Sequence, residues 1–216
     1  MGGCVPDTGL SGRARAFIGE RLPLTPLPFF PEIALHMPSP QSGLHGWLAS
    51  EGLEDTPPYW AYAWGGGAVL AMYLRDHPEL VKGQSVLDFG AGSGLVGIAA
   101  SRAGAARVWA IDTDPVAQIA LELNAAANHA EIALWDGPGQ PESDVVLAGD
   151  IFYDAAVVAH TLPILAETAR RGAKVLVGDP FRRSLPRDRL TLLAEYAVPD
   201  MGGREPVRSG VFVLHP

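Results

Sequence analysis

The sequence predicts an α/β domain built on a doubly wound, mainly parallel sheet, and three observations predict it. Strand-length apolar runs alternate with helix-length segments from Ser85 to Gly178. The central runs Val86-Leu87, Val145-Val146-Leu147 and Val175-Leu176-Val177 carry no polar face, as expected of strands covered by helices on both sides. The first of them runs into a glycine-rich turn. Strands joined through helices return by right-handed crossovers, and ligands of such sheets lie beyond the carboxyl ends of the strands.

Ser85 to Phe89 reads as the first strand of this alternation, followed by a helix from Leu95 to Ala103 that stops at Gly104. Arg107 to Ile111 is the second strand. Asp114-Pro115 supplies helix-start chemistry for a helix from Val116 to Asn128. Short strands follow at Ile132 to Leu134 and Asp144 to Ala148, then a helix from Ala155 to Ala169 and a strand from Lys174 to Gly178. Upstream, Gly66 to Arg75 reads as a short helix closed before Pro78, with Val69, Leu70, Tyr73 and Leu74 on related faces. Downstream, Leu190 to Val198 reads as a helix-strand piece, joined by a glycine-rich loop to a last strand at Gly210 to Leu214. Nine of the nineteen prolines fall in the first 58 residues. Residues 1–58 are therefore expected to be an arm of extended pieces and turns, with a strand at Glu32 to Met37, wrapped on a domain formed by residues 59–216.

With 216 residues, 48% hydrophobic and 19% charged, the chain is long and apolar enough for one well-buried domain. A net charge of −8 argues against nucleic acid or an anionic membrane as the main partner. Cys4 is the one cysteine, so neither an internal disulfide nor a cysteine-based zinc site can form. The six histidines lack metal-ligand spacing, and no metal is expected. No secretory signal or membrane span is legible, and the expectation is a cytoplasmic monomer.

The string Asp88-Phe89-Gly90-Ala91-Gly92-Ser93-Gly94-Leu95-Val96-Gly97 lets backbone N–H groups approach a ligand closely. Read as Gly92, Gly94 and Gly97, with Asp112 following, it also satisfies the dinucleotide fingerprint. An NAD-dependent oxidoreductase thus stays open on spacing alone. Charge separates the two. Acids follow nearly every strand, at Asp88, Asp112, Asp136, Asp150 and Asp179, and no lysine or arginine stands in the glycine loop. Pyrophosphate would be repelled there, whereas S-adenosylmethionine carries a sulfonium and an ammonium against one carboxylate. Each close charge pair is worth roughly 1 to 4 kcal/mol. On this reading Gly90, Ala91 and Gly92 pack against the methionine moiety with Asp88 near its ammonium. Asp112, with Thr113 beside it, accepts from the ribose. Asp136 accepts from the adenine amino group with Trp135 beside the ring, and Trp64 closes over the cofactor next to Gly65–Gly67.

The segments Leu87-Asp88-Phe89-Gly90-Ala91-Gly92-Ser93-Gly94 and Ala110-Ile111-Asp112-Thr113-Asp114-Pro115 resemble the seven-strand S-adenosylmethionine-dependent methyltransferases. Gly149-Asp150-Ile151-Phe152-Tyr153-Asp154 is similar to the Asp/Glu-x-x-Tyr/Phe signature of protein lysine methyltransferases, and Pro58-Tyr59-Trp60-Ala61-Tyr62-Ala63-Trp64-Gly65 to their Trp-Gly segment. Val177-Gly178-Asp179-Pro180 with Arg182 or Arg183, then Leu185-Pro186-Arg187-Asp188-Arg189-Leu190, resembles the electron-transfer flavoprotein β-subunit lysine methyltransferases and their bacterial relatives. The likeness spans about residues 27 to 216. It implies a Rossmann-like sheet ordered 3-2-1-4-5-7-6 with the last strand antiparallel. It also implies methyl transfer to lysine side chains of a protein, the flavoprotein β subunit first. Phe181 departs from it, since many relatives carry glycine there.

A ribosomal-protein lysine methyltransferase shares the glycine loop and the Asp112 region. A catalytically silent protein-binding module that kept the fold is the reading from another class. Within the lysine-methyltransferase reading, Asp150 orients the incoming amine and Tyr153 lines its channel. A carboxylate beside an ammonium raises its pKa, so Asp150 is a poor candidate for the factor that lowers the lysine pKa; the sulfonium charge and an apolar channel lower it, and water takes the proton. Phe152, Trp47 and Trp60 read as packing residues. Arg182, Arg183, Arg187 and Arg189 read as a solvated face or as a docking rim for an acidic protein surface.

Overall fold

The computed structural model describes residues 9–201 and 205–216. Cys4, the N-terminal residues read for targeting signals and the Gly202-Gly203 part of the last loop lie outside the described residues.

The sheet has seven strands. In chain order they are β3 (Ser85–Phe89), β4 (Arg107–Ile111), β5 (Ala133–Leu134), β6 (Val145–Gly149), β7 (Lys174–Asp179), β8 (Leu190–Pro199) and β9 (Pro206–Leu214), arranged as β5-β4-β3-β6-β7-β9-β8. Numbered within the sheet, that is 3-2-1-4-5-7-6. The pairs among β3 to β7 are parallel, while β9 is antiparallel to both β7 and β8. The apolar strands bury both faces. Val86, Val145, Leu147 and Leu176 enter one core with helices α3 (Gly65–Asp76) and α4 (Leu95–Arg102). Leu87, Val146, Val175 and Val177 enter another with α6 (Ala155–Arg170). Helix α5 (Pro115–Ala127) starts at Asp114, whose side chain accepts from Val116 N and so caps it.

Two expectations are corrected. Leu190 to Val198 contains no helix: β8 is one long strand paired along β9, with an irregularity between Leu192 and Ala194. Leucines at 190, 192 and 193 fit a helix, but Thr191, Tyr196 and Val198 suit a strand, and pairing with β9 decides. The N-terminal arm is also more regular than its prolines suggest. It holds α1 (Leu10–Arg21), a hairpin of β1 (Leu24–Leu27) and β2 (Phe30–His36), and α2 (Leu44–Ser50). The prolines from Pro23 to Pro31 fall after α1 and within the hairpin, so the helices keep their backbone bonds.

The arm is fastened to the sheet domain. Leu27, Phe30, Ile33 and Leu35 share the core of α3 and α4, and Ala14 and Ile18 of α1 pack with Val116 and Ala120 of α5. Asn124 Oδ1 accepts from His36 N at 2.8 Å, and Asn128 exchanges both its amide groups with the backbone of Ala34.

Helix α3 meets the sheet with almost no space between backbones. A Cβ on Gly66 would lie 2.2 Å from Gly178 O, and one on Gly149 would lie 2.9 Å from the Cα of Gly67. The Gly65–Gly67 triplet thus lets the first turn of α3 press onto the carboxyl ends of β6 and β7.

Candidate active site

Beyond the carboxyl ends of β3, β4 and β6 opens a cavity of about 990 Å³. Gly90, Ala91 and Gly92 form part of its wall. Gly90 and Gly92 have φ of +70° and +52°, a backbone region that costs a glycine nothing. The N–H groups of Gly90 and Ala91 donate to Ile111 O at 3.0 and 3.1 Å, which ties the loop to β4.

Asp112 completes this tie. Its Oδ2 accepts from Gly92 N at 2.8 Å and its Oδ1 from Asp114 N at 2.9 Å. Each oxygen keeps a second lone pair for a ligand. Burial pushes its pKa up. Asp88 is fully buried and accepts from Gly97 N of α4 at 2.8 Å; burial pushes its pKa up to about 7. Thr113 lines the same wall.

Asp150 follows β6 in a left-handed conformation, φ +72°. Its N–H donates to Gly178 O at 3.1 Å. Its Oδ2 accepts from Gly67 N at 2.9 Å, and its Oδ1 from Arg182 Nη2 at 2.6 Å. Burial raises its pKa while the Arg182 charge opposes that. Behind it, Asp179 is fully buried, accepts from Arg182 N at 2.6 Å, and is pushed by burial to about 6. Asp200 Oδ1 accepts from Gly65 N at 2.8 Å, so two carboxylates sit at the positive end of α3.

Aromatic side chains frame the mouth. Trp64 Nε1 donates to Tyr59 O at 2.6 Å, and the rings of Trp64 and Tyr59 lie 5.5 Å apart. Tyr59 in turn packs on Tyr153, centroids 5.1 Å apart. Tyr153 is 44% exposed although it adjoins Phe152, which is fully buried in the core. Trp47 stacks on Phe17 and meets Trp60 edge-on, as packing residues.

The structure therefore brings Trp64, Asp88, Gly90, Ala91, Gly92, Asp112, Thr113, Asp150 and Tyr153 to one cavity. Trp135 and Asp136 stand outside its wall. Trp135 folds back over its own loop: its ring fills the space a Cβ on Gly137 would need, its Nε1 donates to Gly139 O, and it meets Trp109 edge-on. Sequence reading missed Tyr59 and Tyr62, which come from the segment before α3, and His160 of α6. The aromatic density of residues 58–64 signalled the first two; nothing signalled His160. Arg182 is no part of a uniform basic face. It binds Asp150, while Arg187 lies over the Phe181 ring and Arg189 Nη2 donates to His215 O. Phe181 takes φ +60°, held against Phe212 and Arg208, which accounts physically for glycine suiting that position.

The donor set suits a cationic ligand. Asp88, Asp112, Asp114 and Asp150 line the wall against Arg182 and His160, and Arg182 is already paired with Asp150. A pyrophosphate would meet uncompensated carboxylates, whereas S-adenosylmethionine has its ammonium and sulfonium to offer them. The glycine loop leaves bare backbone for close approach, and no helix among the described residues is long and apolar enough to cross a membrane.

Fold and site together define an S-adenosylmethionine-dependent methyltransferase. A family model described as ribosomal protein L11 methyltransferase (PrmA) matches residues 69–177. The electron transfer flavoprotein beta subunit lysine methyltransferase of Mus musculus is 33% identical over 96% of this chain and 86% of its own length. That of Xenopus laevis is 38% identical over 86% and 79%. The chain belongs to the family of electron transfer flavoprotein beta subunit lysine methyltransferases. A ribosomal protein L11 methyltransferase from Symbiobacterium thermophilum, 39% identical, covers 55% of this chain and 40% of its own length. Among solved structures, magnesium protoporphyrin IX methyltransferase from Synechocystis PCC 6803 with bound SAM shares the fold at TM-score 0.54 and 14% identity, over 79% of this chain and 95% of that one.

Proposed function

We propose that this methyltransferase modifies lysine side chains of the electron transfer flavoprotein β subunit, acting as a monomer without a nucleic-acid partner. The observation that carries the reading is a carboxylate-lined cavity whose wall holds the packed rings of Tyr59, Tyr153 and Trp64 together with Asp150. The relatives that match most of the chain carry that substrate in their names. Residues 59–216 form the catalytic unit on this reading, and residues 9–58 belong to an arm fastened to it.

Bound S-adenosylmethionine would supply an electrophilic methyl carbon to the lone pair of an uncharged amine, the S–C electron pair leaving with sulfur. The residues that hold it are Gly90, Ala91 and Gly92 along the methionine moiety, Asp88 at the ammonium, Asp112 and Thr113 at the ribose, and Trp64 over the cavity. Alignment of the reactants supplies up to roughly 7 to 11 kcal/mol. Asp150 accepts an N–H of the amine and fixes its direction. Tyr153 walls the channel and tolerates methylated ammonium by contact with its ring face. The free lysine pKa near 10.4 makes deprotonation cost about 4.6 kcal/mol at neutral pH, and water takes the proton.

Purified protein incubated with electron transfer flavoprotein and methyl-labelled cofactor is expected to label the β subunit on lysine, read by mass spectrometry. Label on a ribosomal protein in a lysate that also contains flavoprotein would contradict the assignment.

A further inference from the structure

Arg182 reaches the cavity from outside the set of strand-end acids. It stands in the loop after β7, its side chain 24% exposed, with Nη2 on Asp150 Oδ1 at 2.6 Å. Asp179 Oδ1 fixes its backbone N–H at 2.6 Å, and Asp179 is itself fully buried. One aspartate thus holds the loop that delivers a guanidinium to another. The second oxygen of Asp150 is taken by Gly67 N at the start of α3. Both oxygens of the carboxylate beside the channel are engaged, one of them by a permanent positive charge.

We propose that Arg182 is a positioning residue that neutralises Asp150 at the lysine channel, so that the incoming side chain is held as free amine and is not trapped as ammonium. This rests on the reading of Asp150 given above. A lone buried carboxylate stabilises a neighbouring ammonium and raises its pKa, which opposes a reaction that needs the uncharged amine. A guanidinium on the same carboxylate cancels most of that attraction and leaves oxygen lone pairs free to accept an amine N–H. The other groups that face the pair do not do this. Asp179 and Asp200 are near enough to act on Asp150, Asp200 at the first turn of α3, and Asp88, Asp112 and Asp114 line the same cavity, all of one sign. Tyr153 and His160 stand on the α6 side. The positive end of α3 already serves Gly67 N and Gly65 N to Asp150 and Asp200. Arg187, Arg189 and Arg208 are engaged elsewhere, at Phe181, His215 O and Glu195. Among the described residues of the wall, Arg182 is the one permanent cation.

The test is the pH dependence of kcat for methyl transfer to purified electron transfer flavoprotein, from about pH 6 to 10, for wild type, Arg182→Gln, Arg182→Lys and the double variant Asp150→Asn/Arg182→Gln. Calorimetry of flavoprotein binding to enzyme loaded with S-adenosylhomocysteine gives a readout independent of turnover. In Arg182→Gln the rising limb of kcat moves about one pH unit alkaline, so kcat near neutrality falls about tenfold. KM does not rise, and the complex is no weaker at pH 7. Arg182→Lys returns most of the loss, and the double variant brings the limb back towards wild type. Coincident limbs for wild type and Arg182→Gln, or a raised KM on an unshifted limb, overturn the inference. So does a fall in S-adenosylhomocysteine affinity or melting temperature with no pH shift. Absence of transfer by wild type overturns the functional reading, and this inference with it; transfer with coincident limbs overturns this inference alone.

Discussion

Asp112 Oδ2 accepts a hydrogen bond from Gly92 N at 2.8 Å, so the carboxylate after β4 also sets the shape of the glycine loop after β3. Its role is double: it shapes the loop and offers its remaining lone pairs to a ligand. Asp112→Ala is expected to weaken S-adenosylhomocysteine binding at least about tenfold, the loss of one charged acceptor and one loop tie, with Asp112→Asn in between. Calorimetry checks the order; equal affinity for wild type and the alanine variant would refute the role.

On the proposed placement of Asp88 at the ammonium, cofactor binding is expected to be proton-linked. With a pKa of about 7 it is partly protonated near neutrality, and an approaching ammonium favours its ionised form. Binding therefore releases protons near pH 7, measurable as a dependence of the calorimetric heat on buffer ionisation enthalpy, and Asp88→Asn removes most of that release. The same shift bears on stability. An acid whose pKa is raised on folding costs stability progressively as pH climbs from its unfolded value, near 4, through 7. The stability of Asp88→Asn relative to wild type should thus rise with pH over that window in urea unfolding; a gap that stays flat or narrows would contradict the burial of a titrating carboxylate.

Gly66 and Gly178 meet backbone to backbone, whereas a Cβ added to Gly19 of α1 would find nothing within 4 Å. Gly66→Ala should cost about 2 kcal/mol or more, because neither backbone can yield without moving α3 or β7. Gly19→Ala should stabilise by about 0.5 kcal/mol, as alanine does in an exposed helical turn. Urea denaturation compares them directly.

Tyr59 and Tyr153 pack on each other in the cavity wall, centroids 5.1 Å apart. Tyr59→Ala and Tyr153→Ala should each lower kcat/KM for the protein substrate about tenfold or more while leaving S-adenosylhomocysteine affinity within about threefold, roughly the value of one aromatic contact. Loss of cofactor affinity of the same size as the loss in kcat/KM would place these rings at the cofactor instead.

Most of the sheet was legible because its strands, such as Val145-Val146-Leu147, are apolar on both faces and leave one architecture open. The acids that line the cavity were legible where a strand end fixes them, as at Asp88, Asp112 and Asp150. Trp135 and Asp136 follow a strand of two residues, too short to aim what comes after it, and Trp135 turned back onto Gly137. β8 was misread because its leucines suit either element until β9 pairs with it. Tyr59 and Arg182 belong to segments outside the β-α alternation, whose course depends on packing that no local pattern encodes.

The most direct measurement is titration of the purified protein with S-adenosylmethionine and, separately, with NAD by calorimetry. A cavity walled by Asp88, Asp112 and Asp150 predicts micromolar binding of the sulfonium ligand and none of the dinucleotide. Micromolar binding of NAD without binding of S-adenosylmethionine would contradict it.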